Sequence, residues 1–440
     1  MKTILIIDDD AEWRAVLRAF LQTHGWRVFD TADGEAAVEL ARRNLPQAVL
    51  CDLLMPGTNG FKVIASLRAE HSLRQTLVVA MSGKGFNDTR TSAFDAGADE
   101  FLLKPIEPQR LLEVLEKMAL PMPPAEGVPS AVGPGAVNSM PFFRFWGVRG
   151  SVPTPGPETV RYGGNTSCVE VRADGEIIIL DSGTGIRPLG LALAAEFEGR
   201  PLNVSLLISH SHWDHVQGFP FFRPAYDPKN KLRILGYEGA RDGLAGIFSG
   251  QMESPYFPIG LGQMPGHLAF EELRGMNFHI GNVHVQAAFV NHPGVAVGYR
   301  LNTSGGSVAY LPDNEPFLRM RSTKPGEAAS PEALAYARNE DEKIIQFIRG
   351  ADVLILDSQY DTEEYKSHTG WGHGCVDDAV DIALRSGVKK LFLFHHDPSH
   401  DDARIDAMVA YARQVAAKSG GKLEVEGARE GLKCELKAAR

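Results

Sequence analysis

The sequence predicts an α/β protein with two domains, and three features of the chain lead to this prediction. Its 440 residues exceed the roughly 100–200 residues of a typical domain. Short apolar runs alternate with helical stretches up to about residue 120, whereas clustered strands appear after residue 141. We therefore expect one domain at 1–120, a linker at 121–140 and a second domain at 141–440.

The composition indicates a globular protein and excludes several classes of partner. The chain is 44% hydrophobic and 23% charged, which rules out a largely disordered chain. Its net charge of -10 argues against a surface built for long nucleic acid, and so against a DNA-binding output. The four cysteines are far apart and include no CxxC pair, so neither a disulfide scaffold nor a thiolate metal site is expected.

The first apolar run is too short to span a membrane and ends in three acids. We interpret it as the first strand of a cytoplasmic protein with no membrane partner. Further apolar runs (QAVLC, TLVVAM, EFLL) alternate with stretches such as AEWRAVLRAFLQTHG, which predicts five strand–helix units and a parallel doubly wound sheet. The segment 121–140 holds five prolines and few charges, as is typical of a semi-extended tether.

Acidic residues follow two of the predicted strands in the first domain. Asp8 and Asp9 come after ILII, and Asp52 comes after AVLC. The carboxyl ends of parallel strands open onto the same edge of a sheet, where ligands usually bind. Close carboxylates repel one another unless a hard cation lies among them, and Mg²⁺ accepts such a site. The sequence therefore predicts a magnesium site at this edge.

Two more polar residues end later strands of the same domain. Ser82 follows TLVVAM and Lys104 follows EFLL, so a hydroxyl and an ammonium are available to bind phosphoryl oxygens at the same edge. Asp10 and Asp33 have a different interpretation, because each precedes a helical stretch and is expected to cap it.

The segments IIDDD, DLLMPG, MSG and AGADEFLLKP resemble the receiver domain of two-component response regulators, across residues 1–120. This resemblance implies a flavodoxin-like (βα)5 fold and a partner that donates phosphate, a sensor histidine kinase or another phosphodonor. It also implies an aspartyl-phosphate, for which a carboxylate nucleophile is established chemistry. The implied roles are phosphoacceptor for Asp52, Mg²⁺ ligands for Asp8, Asp9 and Asp52, switch hydroxyl for Ser82, aromatic switch for Phe101 and phosphate-sensing lysine for Lys104.

The strongest chemical signal of the second domain is SHSHWDHVQG, which follows the apolar run VSLLIS. Neutral imidazole is a common metal ligand, and a His-x-His alternation places two imidazoles on one side of an extended segment. Other candidate ligands also follow apolar runs. The candidates are His210, His212, Asp214 and His215 in the motif, and Asp181, His292, Asp313 and His395 elsewhere.

These motifs resemble the metallo-β-lactamase superfamily over residues 141–440, which implies an αββα fold and a hydrolase with two metal ions. The resemblance assigns His210, His212 and His292 to one ion, Asp214, His215 and His395 to the other, Asp313 to a bridge between them, and Asp181 to orienting a ligand; Asp214 is also predicted to be catalytic. Nitrogen and carboxylate ligands favour Zn²⁺, and Mn²⁺ and Fe are compatible with the same set. Because adjacent strand residues point to opposite sides, His396 is expected to be a surface histidine.

A stretch near the end of the chain indicates the substrate class. Trp371-Gly372-His373-Gly374 resembles the phosphodiesterase branch related to ribonuclease Z and to bacterial cyclic-nucleotide phosphodiesterases. The resemblance implies that His373 is catalytic and contacts the scissile phosphate or protonates the leaving oxygen. Arg149 and Asn165 are weaker candidates for substrate binding, with a structural role as the alternative for each. Residues 219–275, rich in Phe, Pro, Gly and Tyr, are expected to form an insertion that covers a pocket.

The leading hypothesis is a response regulator whose phosphorylation controls a two-metal phosphodiesterase acting on a cyclic nucleotide or another small phosphodiester. RNA is a less favoured substrate, and a homodimer is compatible with the sequence. Two alternatives remain open: a lactone or thioester hydrolase of the same fold, and a non-catalytic signalling scaffold. Oxygen or nitric-oxide reduction is disfavoured, because the di-iron branch of the superfamily has a carboxylate where this chain has His212.

Overall fold

A computed structural model describes two compact units, Met1–Pro129 and Ser130–Arg440. The described residues are 2–115, with gaps at 56–57, 71–72, 74–75, 83–92, 95, 105, 107–110 and 113, and 140–437, with gaps at 238–242, 255, 274, 324–329 and 421. The expected linker at 121–140 lies outside the described residues except for its last residue, Met140.

The first unit is a five-stranded parallel sheet with helices on both faces, as the sequence predicts. The sheet order is β2-β1-β3-β6-β7, and every pairing in it is parallel. The elements are β1 (Lys2–Ile7), α1 (Ala11–Thr23), β2 (Trp26–Thr31), α2 (Gly34–Asn44), β3 (Ala48–Asp52), the short pair β4 (Leu54–Met55) and β5 (Thr58–Asn59), α3 (Gly60–Ala69), β6 (Leu77–Ser82) and β7 (Glu100–Leu103).

Apolar side chains alternate between the two faces of this sheet. Val49 and Cys51 pack on the side of α2 and α3, whereas Ala48 and Leu50 pack on the side of α1. A strand that is buried on both faces has a continuous apolar sequence, which is why these strands could be predicted from the sequence. Asp10 caps α1, since its side chain accepts hydrogen bonds from the backbone of Glu12 and Trp13.

The second unit contains two seven-stranded sheets. The first has the order β13-β12-β11-β10-β9-β8-β21 and the second β14-β15-β16-β17-β18-β19-β20. The strands are β8 (Phe142–Gly147), β9 (Cys168–Ala173), β10 (Glu176–Leu180), β11 (Asn203–Ile208), β12 (Lys231–Gly236), β13 (His267–Glu272), β14 (Asn277–Ile280), β15 (Val283–Phe289), β16 (Val297–Thr303), β17 (Gly306–Leu311), β18 (Val353–Asp357), β19 (Lys390–Phe394), β20 (Glu424–Gly427) and β21 (Lys433–Glu435).

Helices cover the outer faces of both sheets. They are α4 (Ile186–Glu196), α5 (Trp213–Val216), α6 (Gly243–Gly250), α7 (Phe317–Thr323), α8 (Pro331–Ile348), α9 (Thr362–His368), α10 (Val376–Ser386) and α11 (Asp402–Lys418), with 3-10 turns at Pro157–Thr159, Phe219–Phe221, Arg223–Tyr226 and Leu261–Gln263. No helix within the described ranges is both long enough and apolar enough to cross a membrane.

Strand alternation creates four layers in the second unit. Phe392 and Phe394 of β19 face a core shared by both sheets, whereas Leu391 and Leu393 face the core beneath α8, α10 and α11. Ile179 of β10 faces a third core beneath α4 and α6. Because successive side chains point to opposite faces, each strand belongs to two cores at once. This αββα arrangement agrees with the predicted fold class.

The predicted insertion at 219–275 needs a correction. Two of its segments are integral strands that continue the first sheet, since β12 pairs in parallel with β11 and β13 pairs in parallel with β12. These two short strands were not predicted, because aromatic, proline and glycine residues on either side obscured them. Helix α6 and the 3-10 turns of this range lie outside the sheet.

Two loops of the second unit are in direct backbone contact. The N–H of Gly218 donates to the carbonyl of Ser182, and the N–H of Ser182 donates to the carbonyl of His215. A Cβ atom on Gly183 would lie 2.2 Å from the carbonyl oxygen of Asp214. The approach of the segment after β10 to helix α5 therefore requires a residue without a side chain at position 183.

We predict that Gly183→Ala lowers the free energy of unfolding of the second unit by about 2–3 kcal/mol, because the added methyl group meets backbone atoms that have no room to move. Urea unfolding of the full chain measures the change in the free energy of unfolding, which is taken from the unfolding transition of this unit. Gly250→Ala is the matched control, since nothing lies within 4 Å of its added Cβ, and it should change stability by less than about 1 kcal/mol. Equal effects of the two substitutions would contradict the prediction.

Candidate functional site

The carboxyl edge of the first sheet brings together the charged residues that the sequence selected there. Asp8 directly follows β1, Asp52 ends the neighbouring β3, and Lys104 directly follows β7. The ammonium of Lys104 donates to the Oδ2 of Asp8 at 2.6 Å and also to the Oδ2 of Asp52. Both carboxylates are buried, so the lysine neutralises charge that solvent does not reach.

Burial and this ion pairing shift the pKa values of the pocket. Burial raises the pKa of Asp8 above its ordinary value, and the hydrogen bond from Lys104 offsets only part of that change. Burial alone would lower the pKa of Lys104, but its hydrogen bonds to Asp52 and Asp8 raise it overall. Lys104 is therefore a fixed cation between two carboxylates.

The remaining predicted residues of this pocket lie around that pair. Asp9 is exposed, and Ser82 is buried at the end of β6, where its carbonyl accepts the backbone N–H of Lys104 at 2.8 Å. Phe101 is buried in β7, in the core beneath α2 and α3. The carboxylate oxygens of Asp8 and Asp52 are ligands of the type that Mg²⁺ prefers, so the residues fit that ion.

The seven predicted metal ligands of the second unit lie together where strands of both sheets end. The motif residues follow β11 and open α5, while Asp313 follows β17 and His395 follows β19. The carboxyl ends of the strands concerned face the same edge, because β10 and β11 are parallel, as are β17, β18 and β19. Six of the seven side chains are buried, and only His212 is exposed.

The ligand atoms divide into two groups. His210, His212 and His292 form the first, with the Nε2 of His292 only 2.9 Å from the Nδ1 of His212. Asp214, His215 and His395 form the second, with the Nε2 of His395 3.0 Å from the Oδ2 of Asp214 and 3.3 Å from the Nε2 of His215.

Asp313 reaches both groups with different oxygens. Its Oδ1 lies 3.1 Å from the Nε2 of His215 and 3.4 Å from the Nε2 of His395. Its Oδ2 lies 3.6 Å from the Nε2 of His210 and 3.7 Å from the Nε2 of His292. One carboxylate between two clusters of ring nitrogens is the arrangement that a ligand shared by two ions requires.

Two observations show that these residues fit a pair of divalent ions. The Nε2 of His210 is fully buried and forms no hydrogen bond with the part of the chain that the structure describes. A buried polar atom without a partner is costly, which favours a ligand at this atom. The donor set of imidazoles and carboxylates without thiolate suits Zn²⁺, and it is compatible with Mn²⁺ and Fe.

Burial keeps two histidines of the first group in the neutral form that binds metal. It lowers the pKa of His210 well below the ordinary value and that of His292 to about 4. The pKa of His215 is shifted in the opposite direction. Burial alone would lower it too, but the carboxylates of Asp214, Asp313 and Asp181 raise it well above the ordinary value.

Asp181 lies behind the second group of ligands. Its Oδ2 is 2.8 Å from the Nδ1 of His215 and accepts hydrogen bonds from the hydroxyls of Ser209 and Tyr310. Its Oδ1 accepts the backbone N–H of Ser209 at 2.7 Å. The carboxylate therefore fixes the orientation of the His215 ring, the role that the resemblance implied.

One of the ligands and two residues in contact with ligands have a left-handed backbone conformation. Asp181, His395 and Ser151 each have φ of 60° although none is glycine. Ser151 donates its backbone N–H to the Oδ2 of Asp214 at 2.8 Å, and His395 ends its strand with this sharp turn. Non-glycine residues held at positive φ concentrate at functional sites, where the surrounding contacts enforce them.

His373 lies against this cluster and pairs with a carboxylate that the sequence analysis missed. Its Nδ1 is 3.0 Å from the Oδ2 of Asp357 and 3.8 Å from the Oδ2 of Asp313, and its ring stacks on His395. Burial alone would lower the pKa of His373, but Asp357 raises it to about 9. Asp357 follows the apolar run VLIL, the same signal that selected Asp181.

Glu315 is a second buried acid that the sequence analysis missed. Its carboxylate accepts the backbone N–H of Gly370 at 2.7 Å and of Gly372 at 3.0 Å, and it also accepts the hydroxyl of Tyr365. The carbonyl of Gly372 in turn lies 2.9 Å from the Nδ1 of His292. Glu315 thus holds the loop that carries His373, and no strand-end pattern marked it in the sequence.

Arg149 and Asn165, the weaker candidates for substrate binding, make contacts within the protein. Arg149 is fully buried and donates to the carbonyls of Gly163, Asp397 and His400. Asn165 donates its backbone and side-chain N–H groups to Glu430. These contacts favour the structural alternative for both residues, because Nε and Nη1 of Arg149 and the side-chain amide of Asn165 already hold neighbouring loops.

His396 is also not where the sequence analysis expected it. It is buried rather than on the surface, its Nε2 lies 2.9 Å from the carbonyl of Ala428, and burial lowers its pKa to about 3. The expectation failed because β20 continues the sheet beyond β19 and covers this side chain. The choice of His395 over His396 as the residue beside the other ligands agrees with the geometry.

Comparison with known proteins places the first unit in a recognised family. Residues 4–116 match the model of the response regulator receiver domain. The transcriptional regulatory protein SrrA of Staphylococcus aureus is 33% identical over 109 residues, which are 25% of this chain and 44% of SrrA. A putative response regulator from Chloroflexus aurantiacus has a solved structure with 32% identity and a TM-score of 0.26, covering 27% of this chain and 96% of that one.

The second unit matches a different family. Residues 178–396 match the model of the beta-lactamase superfamily domain. The metallo-beta-lactamase fold protein YhfI from Bacillus subtilis is 18% identical with a TM-score of 0.47, covering 68% of this chain and 100% of that protein. The two family matches and the αββα arrangement described above show that the chain joins a response regulator receiver domain to a domain of the metallo-β-lactamase fold.

Proposed function

We propose that this chain is a response regulator whose output is a two-metal phosphodiesterase acting on a cyclic nucleotide or another small phosphodiester. The observation that carries the proposal is the position of Asp313 between two groups of buried ligand atoms, with His373 directly beside them. A receiver domain in the same chain supplies the control, and a sensor histidine kinase or another phosphodonor is the partner that it requires.

Seven side chains would hold the ions in the two groups described above, with Asp313 shared. Two divalent ions bound there would supply Lewis acidity and lower the pKa of a water towards neutrality. The chain itself contributes orientation and charge. Asp181 keeps the His215 ring in place, and six of the seven ligands are buried whereas His212 is exposed.

His373 is the residue that favours a phosphodiester over an acyl substrate. Asp357 engages its Nδ1, so the other ring nitrogen is the one that can meet a substrate oxygen. A phosphodiester keeps a negative charge on its non-bridging oxygens, and an N–H donor in a buried site stabilises such charge as it develops. Hydrolysis adds water across one P–O bond and releases an alcohol and a phosphate monoester, so the phosphoryl oxygens next to His373 remain charged throughout.

We predict that Asp181→Asn lowers the affinity of the second unit for its metal ions by about 10–100-fold, because the amide no longer accepts hydrogen bonds as the carboxylate does and leaves His215 less well oriented. Competition with a chromogenic zinc chelator measures the affinity. Asp174→Asn is the matched control, since Asp174 binds Ser304 in an exposed turn. Unchanged affinity in Asp181→Asn would be evidence against the assigned centre.

We predict that His373→Ala lowers kcat on bis(4-nitrophenyl) phosphate by about 100-fold or more, because a positioned N–H donor is lost from the reacting centre. Metal content, measured by mass spectrometry, should stay at the wild-type level. A panel of lactones and thioesters assayed in parallel tests the alternative chemistry. Hydrolysis of lactones alone by the wild type would replace the phosphodiesterase assignment, and an intact, metal-free protein would support a scaffold.

We predict that Asp52→Asn abolishes the response of the hydrolase to a phosphoryl donor or to beryllofluoride, because the amide cannot form the aspartyl-phosphate. Its activity without the donor should match that of the wild type, since Asp52 belongs to the other unit. Initial rates on the same phosphodiester, with and without the donor, measure the response. The regulatory part of the proposal would be wrong if the donor left the rate of the wild type unchanged, or if it still changed the rate of Asp52→Asn.

A further inference from the structure

Two large aromatic side chains beside the metal ligands are exposed to solvent. Trp213 is 72% exposed and Trp371 is 60% exposed. An indole ring has a large apolar area with a flat face, so each of these rings leaves a surface on which a planar group can pack. The proposed reaction uses neither residue.

The backbones of both tryptophans lie next to the same pair of ligands, His212 and His292. Trp213 lies between His212 and Asp214 in the chain, and Trp371 precedes Gly372, whose carbonyl contacts the Nδ1 of His292. The rings of His212 and His292 are themselves in contact. His212 is the one exposed member of the seven ligands, and each tryptophan is next in the chain to a residue at this exposed part of the centre.

The backbone of each tryptophan is fixed although its ring is exposed. The carboxylate of Glu315 accepts the N–H groups of Gly370 and Gly372, the residues on either side of Trp371. The Trp371 ring also packs edge-on against His368, with centroids 4.7 Å apart. Trp213 opens α5, and its carbonyl accepts the N–H of Gln217. A rigid aromatic surface loses little entropy on binding, which is typical of a preformed ligand site.

We infer that Trp213 and Trp371 bind the planar base of a nucleotide substrate by stacking, next to the phosphodiester that the metal centre acts on. The inference rests on the proposed function and narrows its substrate class to nucleotides. Stacking of a base on an aromatic side chain is sequence-tolerant, because every base presents a π-face. The site therefore selects for a nucleobase, without selecting strongly among the bases.

Binding of adenosine 5′-monophosphate and ribose 5-phosphate to the zinc-loaded full chain tests this inference, because the two probes share the phosphate and the pentose and differ in the base. Isothermal titration should give an affinity about tenfold higher for the nucleotide, in keeping with the contribution of one stacked base. Trp213→Ala combined with Trp371→Ala should remove the preference without changing the affinity for ribose 5-phosphate.

Two matched variants separate stacking from a structural effect. Trp213→Phe combined with Trp371→Phe keeps an aromatic face at each position and should retain most of the preference. Tyr411→Ala removes an exposed ring from α11 and should leave the preference intact. Quenching of tryptophan fluorescence by the nucleotide, and not by ribose 5-phosphate, is a second readout that needs no turnover.

Each result bears on one proposal. Equal affinity for the two probes, no measurable binding of the nucleotide, or a preference that survives in the double alanine variant overturns the stacking inference. Phosphodiester hydrolysis by the same preparation is scored separately. Hydrolysis without a base preference leaves the proposed function standing alone, whereas a base preference without hydrolysis supports the stacking site and rejects the phosphodiesterase.

Discussion

The structure of the second unit depends on one constraint, which is that many acids and imidazoles lie close together at one buried edge. Asp313 lies within 4 Å of five histidine side chains, and Asp181 supports one of them from behind. Buried charge of this density is tolerated only where each group has a partner. The partners in the described part of the chain leave the buried Nε2 of His210 without a hydrogen bond. The architecture is therefore one that cations complete, and stability and ligand binding are linked in this unit.

The sequence predicted the parts of the site that follow a regular rule. Strand ends at the carboxyl edge mark Asp181, Asp313 and His395, because a buried apolar run precedes each of them and the parallel connection brings their ends together. Asp357 obeys the same rule and was missed, since nothing in the sequence shows that its partner His373 lies opposite it. The alternation of apolar runs and helical stretches predicted the parallel sheet of the first unit, whereas the αββα fold of the second was implied by the resemblance of its motifs.

Loop-borne contacts escaped the sequence for a physical reason. Glu315 lies in a loop between a strand and a helix, and its partners Gly370 and Gly372 are more than fifty residues away in the chain. A carboxylate that binds backbone N–H groups requires no particular residue type at the other end, so no motif records the pair. The contacts of Arg149 could not be predicted for the same reason, because its acceptors are backbone carbonyls and a motif cannot reveal them.

The receiver pocket follows the same principle with fewer groups. Lys104 is shared between Asp8 and Asp52, so a phosphoryl group on Asp52, which carries more charge than the carboxylate, would compete for that ammonium. The backbone N–H of Lys104 is bound to the carbonyl of Ser82, at the end of the neighbouring strand. A shift of Lys104 towards the phosphoryl group would therefore strain the end of β6 as well as β7. A change of charge on the Asp52 side chain would thus alter the contacts of Lys104 and, through its backbone, the ends of β6 and β7. Such a coupling of a local charge to the surrounding structure is what a switch requires.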